Sequence, residues 1–95
     1  MIPLDTVQLE TFAPLVGRSF VTGDVRLDLS EVRTLGHKRP DAQRDPFALT
    51  FRGPHGLRLP QGIYRFVCEG LGEIEFFITQ IGDGTKGSEF EAIFT

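Results

Sequence analysis

Two histidines, one cysteine, three serines and two pairs of alternating glutamates are the residues of this 95-residue chain with the most evident chemical potential. His37 and His55 each sit beside turn residues, and neither has Cys, His or carboxylates at a spacing that assembles a metal site. They read as loop histidines. A hydrolase triad would need His37 and Asp41 to serve Ser19, Ser30 or Ser88, and no nucleophile elbow surrounds any of these serines. Cys68 alternates with Phe66 and Tyr64, which points its thiol into a core where apolar surroundings make it inert. Glu73-x-Glu75 and Glu89-x-Glu91 have the spacing of a solvated strand face. The glycines and lysine of Gly82-Asp83-Gly84-Thr85-Lys86-Gly87-Ser88 lack the spacing and following helix of a phosphate-binding loop, so this stretch reads as a hairpin loop. No catalytic residue, cofactor or metal is expected.

Composition narrows the partners. The first 68 residues hold nine Lys or Arg against seven acids, a net +2, whereas residues 69–95 hold six acids and only Lys86, a net −5. An acidic C-terminal hairpin without a cluster of cations and interleaved aromatics argues against nucleic acid. One cysteine excludes an internal disulfide framework, so a reducing compartment is the default expectation. The start, Met1-Ile2-Pro3-Leu4-Asp5, resembles neither a signal peptide nor a membrane span. The expected location is the cytoplasm, with association to an assembly or export without a signal peptide left open. The length suits a single domain, residues 1–95.

The elements that would position these groups are mainly β. A short N-terminal helix, capped by Asp5 or Thr6, carries Leu9, Phe12, Leu15 and Val16 on one face and is weakened by Pro14 before Gly17 stops it. From Arg18 onward the period is two. Strands at 18–22 and 25–35 flank Gly23-Asp24, whose order suits a type II′ turn, and the wrong parity of Val32 predicts a bulge near Ser30-Glu31. Phe47, Leu49 and Phe51 lead to Gly53-Pro54-His55-Gly56, and alternation resumes through Leu57, Leu59, Tyr64 and Phe66, the pattern of a hairpin. A turn at Gly70-Leu71-Gly72 would pair Cys68 with Ile74, Phe66 with Phe76 and Tyr64 with Ile78 inside, and Ile63 with Thr79 and Arg65 with Phe77 outside. The last strand sends Phe90, Ala92 and Phe94 inward. About six strands in this length predict a small antiparallel meander, closed as a barrel or sandwich, with the helix over one open end.

Two regions carry functional content. On the outer face Ile63, Val67, Phe77 and Ile93 are apolar, which makes them candidate partner contacts unless the N-terminal helix covers them. A free sheet edge would add a second route to association. The polar loop 36–46 offers His37, Lys38, Arg39 and Arg44 as candidate ligand contacts, and replacing Arg39 or Arg44 by Ala is expected to leave stability nearly unchanged.

The motifs Thr11-Phe12-x-x-Leu15-x-Gly17-x-x-Phe20, Phe47-x-Leu49-x-Phe51-x-Gly53-Pro54, Leu59-Pro60-Gln61-Gly62-x-Tyr64, Leu71-Gly72 and Phe90-Glu91-Ala92-x-Phe94 together cover most of the chain. With them the chain resembles an uncharacterised family of short bacterial β proteins, whose members tend to be encoded beside phage tail-collar proteins of the microcystin-dependent type. The resemblance implies an accessory or structural component of a tail-fibre-like assembly. From the residues, the Pro60-Gln61-Gly62 piece describes a turn or bulge that aims Tyr64 inward and leaves its hydroxyl in need of a loop carbonyl. The expected function is a non-enzymatic structural or protein-interaction module that binds a protein partner or itself. The alternative is a small-molecule or glycan-binding domain using loop 36–46.

Overall fold

The computed structural model describes all of residues 1–95 except Lys38, Arg39 and Gln43. A 3-10 turn, Leu4–Thr6, leads to α1 (Leu9–Phe12) and a second 3-10 turn, Ala13–Leu15, followed by β1 (Ser19–Thr22), β2 (Val25–Thr34), β3 (Phe47–Gly53), β4 (Gly62–Cys68), β5 (Gly72–Gly84) and β6 (Gly87–Phe94). The strands form a closed antiparallel barrel in the order β1-β2-β3-β6-β5-β4. The expected mainly β fold is therefore a barrel, built from two three-stranded meanders joined along two seams.

The helix is shorter than its apolar spacing suggests. Gln8, and neither Asp5 nor Thr6, caps it, through a reciprocal box in which the Gln8 N–H donates to Thr11 Oγ1 at 3.0 Å. Pro14 then shifts the chain into the tighter turn, and Gly17 with φ 91° ends it. Phe12 and Leu15 are buried while Val16 is left exposed. The Phe12 ring lies 5.5 Å from Phe94, 5.9 Å from Phe47 and 6.4 Å from Phe20, so this segment plugs one barrel end, as expected.

Inside the barrel the alternation holds except in β3, where Ala48 and Thr50 on the other face are buried as well. Leu27, Leu29, Phe47, Leu49, Phe51, Phe66, Cys68, Ile74, Phe76, Ile78, Phe90 and Ala92 are all buried. Phe66 stacks on Phe76 at 4.7 Å, and Phe47 on Phe94 at 4.8 Å. Burial pushes the Cys68 thiol pKa up, consistent with an inert core cysteine. The β1–β2 turn is Gly23-Asp24, with Gly23 at φ 59° and Asp24 at negative φ, as a type II′ turn requires. The β2 register shifts between Leu29 and Glu31, where the parity of Val32 places a bulge.

Three local expectations are corrected. β3 and β4 do not form a hairpin: β3 pairs with β2 and β6, and β4 with β1 and β5. The connection from Pro54 to Gln61 crosses a barrel end. Leu57 packs so closely over Gly53 that a Cβ there would stand 2.8 Å from Leu57 Cδ2 and 2.9 Å from Leu27 Cδ2. Backbone groups of this crossing are satisfied by side chains, with Leu57 C=O accepting from Gln80 Nε2 at 2.9 Å and Ser88 Oγ at 2.7 Å, and Leu59 N–H donating to Gln80 Oε1 at 3.1 Å. The apolar alternation of Leu57 and Leu59 thus marks residues that close the barrel end. Beyond it, the Tyr64 hydroxyl donates to the Pro60 carbonyl at 2.6 Å, the loop partner it needed.

The β4–β5 register is displaced by two residues from expectation. Phe66 faces Ile74, Tyr64 faces Phe76, Arg65 faces Glu75 and Ile63 faces Phe77. A three-residue turn, Glu69 to Leu71, replaces the glycine-to-glycine one, with Gly70 at φ 90° and the Leu71 N–H donating to Cys68 C=O at 3.0 Å. A shift of two preserves which face each side chain takes, and it puts Arg65 opposite a carboxylate instead of an aromatic ring. Finally, Gly82 to Ser88 is not a loop, because β5 continues through a bulge at Gln80/Gly82 to Gly84 and turns on Thr85-Lys86 alone. Gly87 makes this turn possible: its φ is 120°, and a Cβ on it would collide with the Gly53 carbonyl oxygen.

Candidate functional site

Eight of the nine phenylalanines are buried in the barrel, and Phe77 alone is 50% exposed. Its position follows from parity: Phe76 and Ile78 turn inward, so Phe77 turns out. Across the ladder it faces Ile63, which is 70% exposed. The next outward pair is Arg65 with Glu75, joined by an ion pair of 3.3 Å, and beyond it lies Val67, which faces Val21 of β1. Two apolar cross-strand pairs therefore flank an ion pair on one outer surface.

The N-terminal helix does not cover this surface, since its apolar residues are spent on the barrel end. What approaches it is the segment before the helix. Met1, Ile2, Pro3 and Leu4 form one wall of a groove of about 410 Å³, with Ile63, Glu75, Phe76 and Phe77 completing it. Met1 and Leu4 are exposed. Ile93, also exposed, lies on β6 opposite Ala48 and does not line this groove. The structure thus brings Ile63 and Phe77 together, places Val67 beside them on β4 and leaves Ile93 apart. Val21 was legible as an outward apolar residue next to the inward Phe20, whereas no periodicity in Met1 to Leu4 marks them as a groove wall.

At loop 36–46 a second cleft, of about 460 Å³, is lined by Leu35, His37, Asp41, Ala42, Arg44, Pro46 and Thr95. Lys38 and Arg39 lie outside the described residues. Arg44 is not a free ligand contact. Its Nη1 donates to the carbonyls of Leu4 at 2.6 Å and Val7 at 2.8 Å, and its guanidinium stands 5.6 Å from the Phe94 ring centroid and 5.9 Å from that of Phe47. It ties the N-terminal segment to the barrel, and on these contacts Arg44→Ala is expected to cost stability. Among the described residues, no group of three or more His, Cys, Asp or Glu side chains is placed to hold a metal ion.

A third cluster has no signal in the sequence. The Asp83 carboxylate, at the end of β5, meets His55 Nδ1 at 2.7 Å and Arg58 Nη1 at 3.6 Å, and accepts the Gly56 N–H at 3.3 Å. It pins the β3–β4 crossing to the β5–β6 hairpin. The hydrogen bond with His55 lowers the Asp83 pKa, with help from the Gly56 N–H and the charges of His55 and Arg58, against the opposing effect of burial. A carboxylate with a lowered folded pKa contributes stability above its unfolded value and loses it as pH falls through the folded one. Thermal melts between pH 7 and pH 2 should therefore show part of the acid destabilisation below about pH 4 disappearing in Asp83→Asn. An unchanged acid limb in that variant would rule out this source.

No described helix is long and apolar enough to cross a membrane. Comparison with curated proteins and with solved structures yields no match. Residues 7–94, the whole barrel with its helical plug, match the model of a domain of unknown function, DUF6916, and the chain belongs to that uncharacterised family.

Proposed function

We propose that this barrel is a non-enzymatic protein-interaction module whose contact surface is the outer face of β4 and β5, centred on Ile63 and Phe77 and flanked by Val67. The observation that carries the reading is the single phenylalanine left outside a barrel that buries the other eight. Half of an aromatic side chain is about 100 Å², so covering Phe77 removes apolar surface with a transfer free energy of roughly 2.5 kcal/mol, from which the ordering cost of association is subtracted. That is the size of an interface hot spot. Ile93 offers a separate apolar contact on β6. In the assembly implied by the sequence resemblance, the module is an accessory component of a phage-tail-like or tail-fibre-like structure, and its partner is a neighbouring protein or a second copy.

Light scattering after size exclusion, across a concentration range and with the product of the adjacent gene, tests this. An oligomer or co-eluting complex is expected for the natural chain, and Phe77→Asp should abolish it while changing stability by less than about 1 kcal/mol, as surface substitutions do. A monomer that forms no complex at any concentration would overturn the reading. The cleft at loop 36–46 supports a second reading, a small-molecule or glycan site, because its volume falls in the range of ligand pockets. His37→Ala should then abolish ligand binding and leave association untouched.

A further inference from the structure

β5 changes neighbour along its length. From Gly72 to Ile78 it pairs with β4, and its ladder with β6 begins only at Thr79 opposite Glu91. The end of β6, from Ala92 to Phe94, pairs with β3 alone. Between Glu73–Phe77 and the end of β6 the seam thus lacks a strand ladder. Backbone groups alternate sides along a strand, so those of Glu73, Glu75 and Phe77 point the same way. The Glu73 carbonyl identifies that side, because it accepts the N–H of Ile2 at 2.9 Å. No other backbone bond outside the strand ladders reaches Glu73, Glu75 or Phe77 among the described residues.

The N-terminal segment therefore begins a strand and abandons it. Pro3 has no donor to offer, and the chain turns away at Leu4–Thr6, where Arg44 holds the Leu4 carbonyl. One strand-like bond is made and the remaining edge stays open beside an apolar groove. Unpaired edges in such a setting bind extended chains by strand addition.

The identity of the occupant follows from charge. Two β5 edges meeting antiparallel about Glu75 would set Glu75, whose charge Arg65 offsets only in part across an exposed 3.3 Å ion pair, against its own copy. They would also leave Glu73, which has no ion pair among the described residues, opposite Phe77 instead of a cation. Of the six acids in residues 69–95, Glu75, Asp83, Glu89 and Glu91 meet Arg or His side chains of the chain itself, so Glu73 carries the uncompensated charge at this edge among the described residues. We propose that the β5 edge at Glu73–Phe77 is a strand-addition site for an extended segment of a partner protein, with Lys or Arg opposite Glu73 and Glu75 and an apolar residue opposite Phe77. The chain's own Met1–Leu4 occupies part of that site when the partner is absent. This rests on the interaction-module reading and supplies its partner chemistry.

The test uses the full-length chain, labelled with nitrogen-15, and two capped hexapeptides, Lys-Val-Lys-Val-Leu-Val and Glu-Val-Glu-Val-Leu-Val. Their first, third and fifth residues face Glu73, Glu75 and Phe77 in parallel addition, and each is also used in reversed order to give the same pairing in antiparallel addition. Saturation with the lysine peptide should slow amide exchange at Glu75 and Phe77 at least tenfold, and the glutamate peptide should bind at least tenfold more weakly. Ile2→Pro removes the donor to Glu73 and should tighten the lysine peptide about fivefold, the worth of one net backbone hydrogen bond. The double variant Glu73→Lys with Glu75→Lys should reverse the peptide preference, which keeps the test decisive if Ile2→Pro fails to fold. Unprotected Glu75 and Phe77 amides, or no preference between peptides, would overturn strand addition even if Phe77→Asp still abolishes association. Equal affinity of a folded Ile2→Pro chain would overturn the occupancy by Met1–Leu4. Loss of both the peptide effect and the Phe77 effect would remove the interaction-module reading itself.

Discussion

Gly87→Ala is expected to lower the melting temperature by on the order of 15 °C, the effect of about 3 kcal/mol in a domain of this size. Two costs add at this position. The backbone φ of 120° lies in a region that L side chains rarely adopt, and holding a non-glycine residue in such a region costs of order 1–3 kcal/mol. A Cβ there would also collide with the Gly53 carbonyl, on the strand that the hairpin must pair with through Gly53 and Ser88. Relief of the collision must push the β5–β6 turn away from β3 and weaken the bonds of Ser88 and Gln80 to Leu57 that hold the crossing connection. Gly84, the facing glycine of the same turn, has nothing within 4 Å of a built Cβ and no positive φ, so Gly84→Ala should move the melting temperature by only a few degrees. Scanning calorimetry on the two variants checks both values. Equal effects would show that the turn tolerates a side chain at either position and that the close approach to Gly53 does not limit it.

Arg44→Ala should destabilise the barrel by about 2–3 kcal/mol, from two hydrogen bonds with a charged donor and the loss of its packing on two rings. The estimate stays below the sum of those contributions because the Leu4 and Val7 carbonyls can recover water once the side chain is gone. Its structural consequence is specific. The segment from Met1 to Val7 is held by Arg44 at two carbonyls, by Ile2 at Glu73 and by the burial of Val7, so without Arg44 the strap keeps one backbone bond to the barrel and its apolar contacts. Urea denaturation should show the lower midpoint, and amide exchange should show faster opening at Ile2 and Val7 before global unfolding. Arg44→Lys keeps the charge and loses the flat contact with Phe47 and Phe94, so it should recover only part of the stability. Stability unchanged in Arg44→Ala would return this residue to the role of a free loop cation.

The sequence by itself determined which face most strand side chains take, though not that Val16 is exposed or that Ala48 and Thr50 are buried. Period-two alternation assigned the inward phenylalanines of β3, β4 and β6, the parity break at Val32 located the β2 bulge, and Gly23-Asp24 specified its turn. It also placed Ile63, Val67, Phe77 and Ile93 outside, because successive side chains of a strand point to opposite faces and their neighbours turn toward the core. The tertiary structure decided which strands are neighbours and in what register. Alternation is unchanged by a shift of two, so the β4–β5 hairpin could be read with every face correct and every partner displaced, which turned Arg65 from an aromatic partner to Glu75. The continuous alternation through Leu57 and Leu59 likewise says that those residues are half-buried, and says nothing about whether a strand or a barrel end buries them. Arg44 and Asp83 hold contacts 37 to 40 and 27 to 28 residues away along the chain, distances over which no local pattern carries information. The open β5 edge arises because one strand crosses from one neighbour to another, a consequence of strand shear around a closed barrel that exists only once all six strands are assembled.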